Sequence, residues 1–238
     1  MMIDIDSYSQ IDFENFLISN IPDADKLGKE FTASFAFRSM AQKYANACDA
    51  ISGVGSLYVS GRYNIGKRFA GNLLSDTQYQ DYRFKVLYLS CDLVSCVAEV
   101  EYYAVKDATG VFNEKEKIAN TLAQTLVGVN VNISKCLDLS DDEILRAIGL
   151  TNEAGQADDS VLKIEWFPFN FDGEFAPTQL IGKVAKDKGY EAIIAPSARI
   201  NESGRNSINL LSEDVIQQKA SLVNPHLLPD SMPDFYAR

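Results

Sequence analysis

A single histidine, His226, occurs among 238 residues. That scarcity excludes most imidazole chemistry at the outset. A Ser–His or Cys–His pair would have to recruit His226 from a proline-rich C-terminal stretch, and no zinc-ligand pattern emerges. Cysteine is also sparse. Of Cys48, Cys91, Cys96 and Cys136, only Cys91 and Cys96 are close, and their spacing is not C-x-x-C. They read as reduced, partly buried thiols of a cytoplasmic protein, and no metal site is expected. Glycine (14) and proline (7) are not enriched, so disorder is not the default reading. There is no long apolar run, and the N-terminus, Met1-Met2-Ile3-Asp4, is acidic without a basic n-region. Neither a signal peptide nor a membrane span is expected. Basic residues are in deficit: 22 Lys and Arg stand against 33 Asp and Glu, a net charge of -11 with a pI of about 4.6. Such a surface repels nucleic-acid backbones and anionic membranes. It admits a small anionic ligand only where cations gather locally, or a basic protein partner. No internal repeat or low-complexity run is present.

Hydrophobic residues make up 46% of the chain, enough for the core of one large domain. Residues 1–30 read as an N-terminal helical extension. Phe13, Phe16, Leu17 and Ile21 recur at helical spacing, Pro22 ends the pattern, and the helix is expected to dock on a body spanning 31–238. A first strand runs from Phe31 to Phe37, with Arg38 at its end, and a helix-like stretch from Met40 to Ile51. Gly53 to Gly61 reads as turn, short strand (Ser56 to Val59), turn. Gly55, Gly61 and Gly66 frame Arg62. Residues 67–83 lack a period and read as a long loop.

Phe84-Lys-Val-Leu-Tyr-Leu-Ser90 is a strand by its aromatic and branched content. Asp92 caps a helix whose apolar stripe is Leu93, Cys96, Val97, Val100 and Ala104, and Glu99 falls off that stripe. Glu114 to Leu126 reads as a helix. Val129, Val131 and Ile133 alternate with polar residues in a half-buried strand that continues through Leu137 to Ser140. Ser140 and Glu143 form an S-x-x-E capping box for a short helix. Pro177 to Lys188 is a helix stopped by Gly189. Tyr190 to Ala195 is a buried strand leading into Pro196-Ser197-Ala198, and Ser207 to Leu211 is the last strand expected.

An arginine in a glycine-framed turn, a tyrosine on a strand and a glutamate on the next helix are suited to holding a dinucleotide and stabilising positive charge on a ribose. The order of features then becomes specific. Phe37-Arg38 is followed by Gly61-Arg62-Tyr63-Asn64 and Gly66, then by Leu87-Tyr88-Leu89-Ser90, with Glu99 eleven residues beyond Tyr88. After these come Cys136-Leu-Asp-Leu-Ser140, Thr178-Gln179 with Gly182, Gly189, and Pro196-Ser197-Ala198. This series resembles the RES-domain family, the toxin half of Xre–RES toxin–antitoxin modules, over roughly residues 35–230. The arginine, glutamate and serine that name the family correspond to Arg62, Glu99 and Ser197. Three features depart from its pattern: a longer interval from Arg62 to Tyr88, a polar insertion at Ile200 to Arg205, and a tail, Asn224-Pro225-His226, that matches the family's closing segment only loosely.

The resemblance implies an α+β fold, an ADP-ribosyltransferase-like core with a split, mostly antiparallel sheet and flanking helices, so that 31–238 is an NAD-binding catalytic domain. It implies NAD+ as a consumed substrate rather than a recycled cofactor, and nicotinamide–ribose cleavage by hydrolysis or phosphorolysis. The alternatives are transfer of ADP-ribose to a protein, or a non-catalytic interaction domain on the same core. A cognate antitoxin is the implied partner, and a homo-oligomer is compatible. Loss of nicotinamide builds oxocarbenium character on the ribose, and Glu99 is the carboxylate to stabilise it. Arg62 and Arg38 are the bidentate cations for the pyrophosphate. Tyr88 is the ring to stack on nicotinamide, and Ser197 the hydroxyl for ribose or phosphate. Tyr63 and Asn64 touch the ligand or shape the loop. The G-x-G-x-x-G signature of hydride-transfer enzymes is missing from the start of any strand–helix unit.

Overall fold

The computed structural model describes residues 9–57, 60–66, 82–108, 124–171, 173–200, 202 and 204–229. Six strands form one sheet: β1 (Lys29–Ala41), β2 (Leu87–Ser90), β3 (Gln124–Asp138), β4 (Ala192–Pro196), β5 (Asn206–Leu210) and β6 (Ala220–Leu222). Their order is β1-β2-β5-β4-β3-β6, and β1 also pairs with β3, so the first five close into a ring with β6 on the outside of β3. Only β3 and β4 run parallel; the other pairs are antiparallel. The mostly antiparallel expectation matches the structure. In place of a split sheet, β1 and β3 are long enough to zip together from Lys29↔Cys136 to Ala41↔Gln124 and close the ring.

Alternation assigns each strand two faces. Ala36, Leu87, Leu89, Val129, Val131, Ile194, Ile208 and Leu210 fill the inside of the ring. The opposite faces of β2, β4 and β5 look toward the second core, where Ile193, Ala195 and Leu211 meet the helices. Those helices are α1 (Gln10–Asn20) and, later in the chain, Pro177–Asp187. Phe13 and Leu17 of α1, and Ile21 at its C-cap, are buried in this same core, each contributing on the order of 1.5–3 kcal/mol. Ser9 caps α1 through Asp12 N–H at 3.4 Å.

Between α1 and that helix the chain also forms α2 (Ala24–Leu27), α3 (Ala47–Ala50), α4 (Leu93–Ala108), α5 (Asp142–Ala147) and α6 (Phe167–Phe171). Pro177–Asp187 is then α7, and α8 (Glu213–Lys219) follows β5. Pro177 opens α7, and Gly189 at φ +82 closes it, with Tyr190 N–H donating to the Ala185 carbonyl at 3.1 Å.

Several expectations are corrected. Met40 to Ile51 is not one helix. Pairing with β3 extends β1 to Ala41, and a 3-10 turn (Gln42–Tyr44) and the single turn of α3 follow. Ser56 belongs to a 3-10 turn, Val54–Leu57, and its hydroxyl accepts from Val86 N–H at 2.7 Å; residues 58–59 lie outside the described ones. Gln124 to Leu126 begin β3, and the rest of the helix expected from Glu114 lies outside the described residues. The cap of α5 is Asp141, which accepts from Glu143 N–H at 2.8 Å, while Ser140 donates to Asp138 at 2.6 Å. On α4, Leu93 and Val97 of the expected stripe are exposed, and Cys96 is buried. α8 and β6 follow the strand expected to be last. Of the 67–83 loop, only Tyr82 and Arg83 are described.

Candidate active site

The site begins with the loop 60–66 and the way it is fixed. Ser60 Oγ accepts from Gly66 N–H at 2.9 Å, closing the loop on itself, and Gly61 N–H donates to the Asn64 carbonyl at 3.1 Å. From β2, the Tyr88 hydroxyl accepts from Tyr63 N–H at 3.0 Å and donates to Asn64 Oδ1 at 2.6 Å. Asn64 Nδ2 donates to the Ser56 carbonyl at 2.6 Å. From α7, Gln179 Nε2 donates to the Gly61 and Asn64 carbonyls at 3.0 and 3.2 Å. Gly182, one turn on, lets the helix backbone press against the Tyr63 carbonyl, because a Cβ there would collide with that oxygen. The motif residues Asn64, Tyr88, Gln179 and Gly182 thus act together to immobilise the loop that carries Arg62.

Arg62 points from this loop toward the segment 160–165. Its Nη1 donates to the Leu162 carbonyl. Its Nη2 is buried and has no hydrogen-bond partner among the described residues. Three residues after Leu162 stands Glu165, whose carboxylate feels the charge of Arg62.

Glu165 leads to the second half of the site. Arg199, two residues beyond Ser197, donates from Nη1 and Nη2 to Glu165 Oε1 and Oε2 at 2.6 and 3.4 Å, and from Nε to Glu99 Oε2 at 3.3 Å. Its guanidinium lies 3.5 Å from the centroid of the Tyr102 ring, a stacked cation–π contact. The Tyr102 hydroxyl donates to Glu165 Oε1 at 2.5 Å. The Arg199 side chain is only 5% exposed, while that of Glu99 is 33% exposed. Burial pushes the Glu165 carboxyl up, but Arg199, Tyr102 and Arg62 together outweigh it and hold the group below the ordinary carboxylate value.

Ser197 is buried. Its N–H donates to the Arg205 carbonyl at 2.6 Å and its Oγ accepts from Arg199 N–H at 3.2 Å. Arg205 in turn reaches Asp92, the cap of α4, at 2.7 Å. Asp92 also accepts from Ser95 N–H at 2.9 Å. The polar segment after Ser197 is therefore tied to α4 at two points, Asp92 and Glu99.

Tyr88 thus clamps the loop of Arg62, Glu99 and Ser197 both meet Arg199, and the charge of Arg62 acts on Glu165 with no bond between them among the described residues. The other candidates are placed differently. Tyr63 is fully buried, and its hydroxyl lacks a hydrogen-bond partner among the described residues; burial pushes it up to about 12. Asn64 is buried in the loop's own bonds. Of the two roles open to these residues, the structure shows loop shaping. Arg38 Nη1 donates to the Asp49 and Ala50 carbonyls at 2.9 and 2.7 Å, gripping the end of α3, and burial lowers its guanidinium to about 10. His226 is exposed on a 3-10 turn, Pro225–Leu227. Arg199, Glu165 and Tyr102 were not singled out by sequence reasoning. Tyr102 was within reach, since it lies three residues after Glu99 on the same helix face. Arg199 and Glu165 carry no local signal, because only the chain path brings positions 165 and 199 together. Among the described residues, no group of three or more His, Cys, Asp or Glu side chains is placed to hold a metal ion. None of the described helices is long and apolar enough to cross a membrane.

The model of the RES domain family matches residues 36–227. Among solved structures, the M. tuberculosis MbcT–MbcA toxin–antitoxin complex contains a chain similar in fold. It has a TM-score of 0.54 and 19% identity, over 90% of this chain and 96% of that one. Comparison with curated proteins gives no match.

Proposed function

The chain belongs to the RES-domain family, and from that premise we propose that it is an NAD+-consuming toxin, with an ADP-ribosyltransferase-like core, that cleaves the nicotinamide–ribose bond. The observation that carries this reading is the pairing of a partly exposed carboxylate, Glu99, with an arginine loop immobilised from both β2 and α7. Arg199 pairs with both Glu99 and Glu165, and the charge of Arg62 acts on Glu165.

In this reading Arg62 receives the pyrophosphate. Its unpartnered Nη2 is a buried donor that costs free energy until an acceptor arrives, and a phosphate oxygen is such an acceptor. Tyr88 presents its ring to nicotinamide while its hydroxyl keeps the loop in place. Ser197 keeps its hydroxyl hydrogen for a ribose oxygen, since its Oγ acts only as acceptor toward Arg199 N–H. The bond between ribose C1 and the nicotinamide nitrogen breaks, and the bonding pair leaves with nicotinamide, which departs neutral. Positive charge spreads over C1 and the ring oxygen, where Glu99 opposes it. Water then adds to C1 and releases one proton, giving ADP-ribose. With phosphate as nucleophile, the product is the 1-phosphate of ADP-ribose.

The partner is inferred on narrower ground. The solved neighbour is part of a toxin–antitoxin complex, which supports a cognate antitoxin for this chain.

The test is purified protein with NAD+, with products resolved by mass spectrometry in the presence and absence of phosphate. Nicotinamide release by the wild type, abolished in a folded Glu99→Gln variant, is the expected result. Intact NAD+, or undiminished turnover by Glu99→Gln, would overturn the assignment.

A further inference from the structure

Glu99 does not stand alone. A carboxylate asked to stabilise a developing cation is weakened by any cation already paired with it, and Arg199 Nε lies 3.3 Å from Glu99 Oε2. Left to itself, that contact would neutralise the charge on which the proposed chemistry depends. The structure contains the counterweight. Glu165 takes both terminal nitrogens of Arg199, at 2.6 and 3.4 Å, and Tyr102 both stacks under the guanidinium and donates to Glu165. The shortest bond, at 2.6 Å, goes to Glu165, which takes two in all, and a single one of 3.3 Å goes to Glu99. With its side chain 5% exposed, Arg199 is too enclosed for water to screen it. Counting the three charges, Glu99, Glu165 and Arg199 carry one net negative charge.

We propose that Glu165 is a positioning residue that balances Arg199, so that Arg199 fixes the orientation of Glu99 without cancelling its charge. This rests on the reading of Glu99 given above. Arg62 strengthens the argument, because its charge also acts on Glu165. Removing the Glu165 charge would leave the full charge of Arg199 opposing that of Glu99. Such an arrangement leads to an outcome that a merely structural role for Glu165 does not: loss of the second carboxylate is repaired by loss of the arginine.

The experiment is steady-state nicotinamide release from NAD+ by four proteins: wild type, Glu165→Gln, Arg199→Met and the double variant. Thermal melts confirm that each is folded. Glu165→Gln is expected to lower kcat by about 10–100-fold with KM changed by less than about threefold, as for loss of transition-state electrostatics. Adding Arg199→Met to Glu165→Gln is expected to raise kcat by at least about fivefold over the single variant. If Glu165→Gln does not fold, the comparison within the Arg199→Met background serves instead, where Glu165→Gln is expected to cost less than about twofold. A wild type that releases no nicotinamide overturns the reading of the site and this proposal with it. An active wild type with an undiminished Glu165→Gln, or a double variant no faster than Glu165→Gln, overturns the proposal alone. So does a loss of about tenfold or more on adding Glu165→Gln to Arg199→Met.

Discussion

The Tyr88 hydroxyl donates to Asn64 Oδ1 at 2.6 Å while accepting from Tyr63 N–H at 3.0 Å. One phenol on β2 therefore holds the loop on either side of its midpoint, immediately beside Arg62. Tyr88→Phe keeps the ring that would face nicotinamide and removes the hydroxyl that forms this clamp. It leaves a backbone donor unpaired beside the buried Tyr63, at a cost of about 1–3 kcal/mol. Denaturant melts should show that loss. KM for NAD+ should rise several-fold, because the displaced element is the loop carrying the pyrophosphate arginine.

Gly182 tests the same loop from the helix side. A methyl group at this position would meet the Tyr63 carbonyl, which is backbone and cannot step aside as a side-chain tip can. Gly182→Ala must separate α7 from the loop and stretch the Gln179 bonds to Gly61 and Asn64. Ala favours a helix interior over Gly by about 0.5–1 kcal/mol, and the overpacking penalty of about 1–3 kcal/mol exceeds that gain. A lower melting temperature is expected, even though the substitution raises helix propensity.

What was legible in the sequence divides along physical lines. Both cores were legible because periodicity reports burial. Of the stripe Phe13, Phe16, Leu17 and Ile21, all but the half-buried Phe16 are buried, and so is the alternation Val129, Val131 and Ile133 that lines the ring. Gly189 was legible as the end of α7 because a left-handed residue follows the helix. The closure of β1 on β3 was not, since strand length and pairing are decided by the partner strand. Met40 and Ala41 look helical until Thr125 and Gln124 lie opposite them. Within the site, Arg62, Tyr88, Glu99 and Ser197 are carried by local motifs. Arg199 and Glu165 meet only through the fold, so their ion pair could not be read from spacing.

Acid should expose that ion pair. Burial raises the Glu165 carboxyl, but Arg199, Tyr102 and Arg62 prevail and hold it below its ordinary value of 4.5. A carboxyl depressed in the folded state contributes stability above its unfolded value and loses it as pH falls through its folded value. Asp92 behaves alike: burial opposes ionisation, and Ser95 and Arg205 more than offset it. Unfolding free energy of the wild type should therefore fall from about pH 5 downward. The difference between wild type and Glu165→Gln, measured by denaturant melts, should be constant near neutrality and shrink toward about pH 3. A gap that does not change with acid would mean that the carboxylate charge is not what stabilises the cluster.

The two arginines offered for the pyrophosphate should separate cleanly. Arg38 uses Nη1 on the Asp49 and Ala50 carbonyls, so its removal frees the end of α3 and leaves two carbonyls without that donor. Arg62 makes one bond, to Leu162, and holds a second buried nitrogen with no hydrogen-bond partner among the described residues. The first arrangement is that of a structural cation, the second that of a cation awaiting an anion. Arg38→Met should then lower stability by about 1–3 kcal/mol with a small change in KM. Arg62→Met should raise KM for NAD+ by about tenfold or more, since a charge-assisted bond to phosphate is worth about 1.5–3 kcal/mol, at little cost in melting temperature. Both readouts come from the same two preparations, and a larger KM effect at Arg38 would transfer the pyrophosphate to the end of α3.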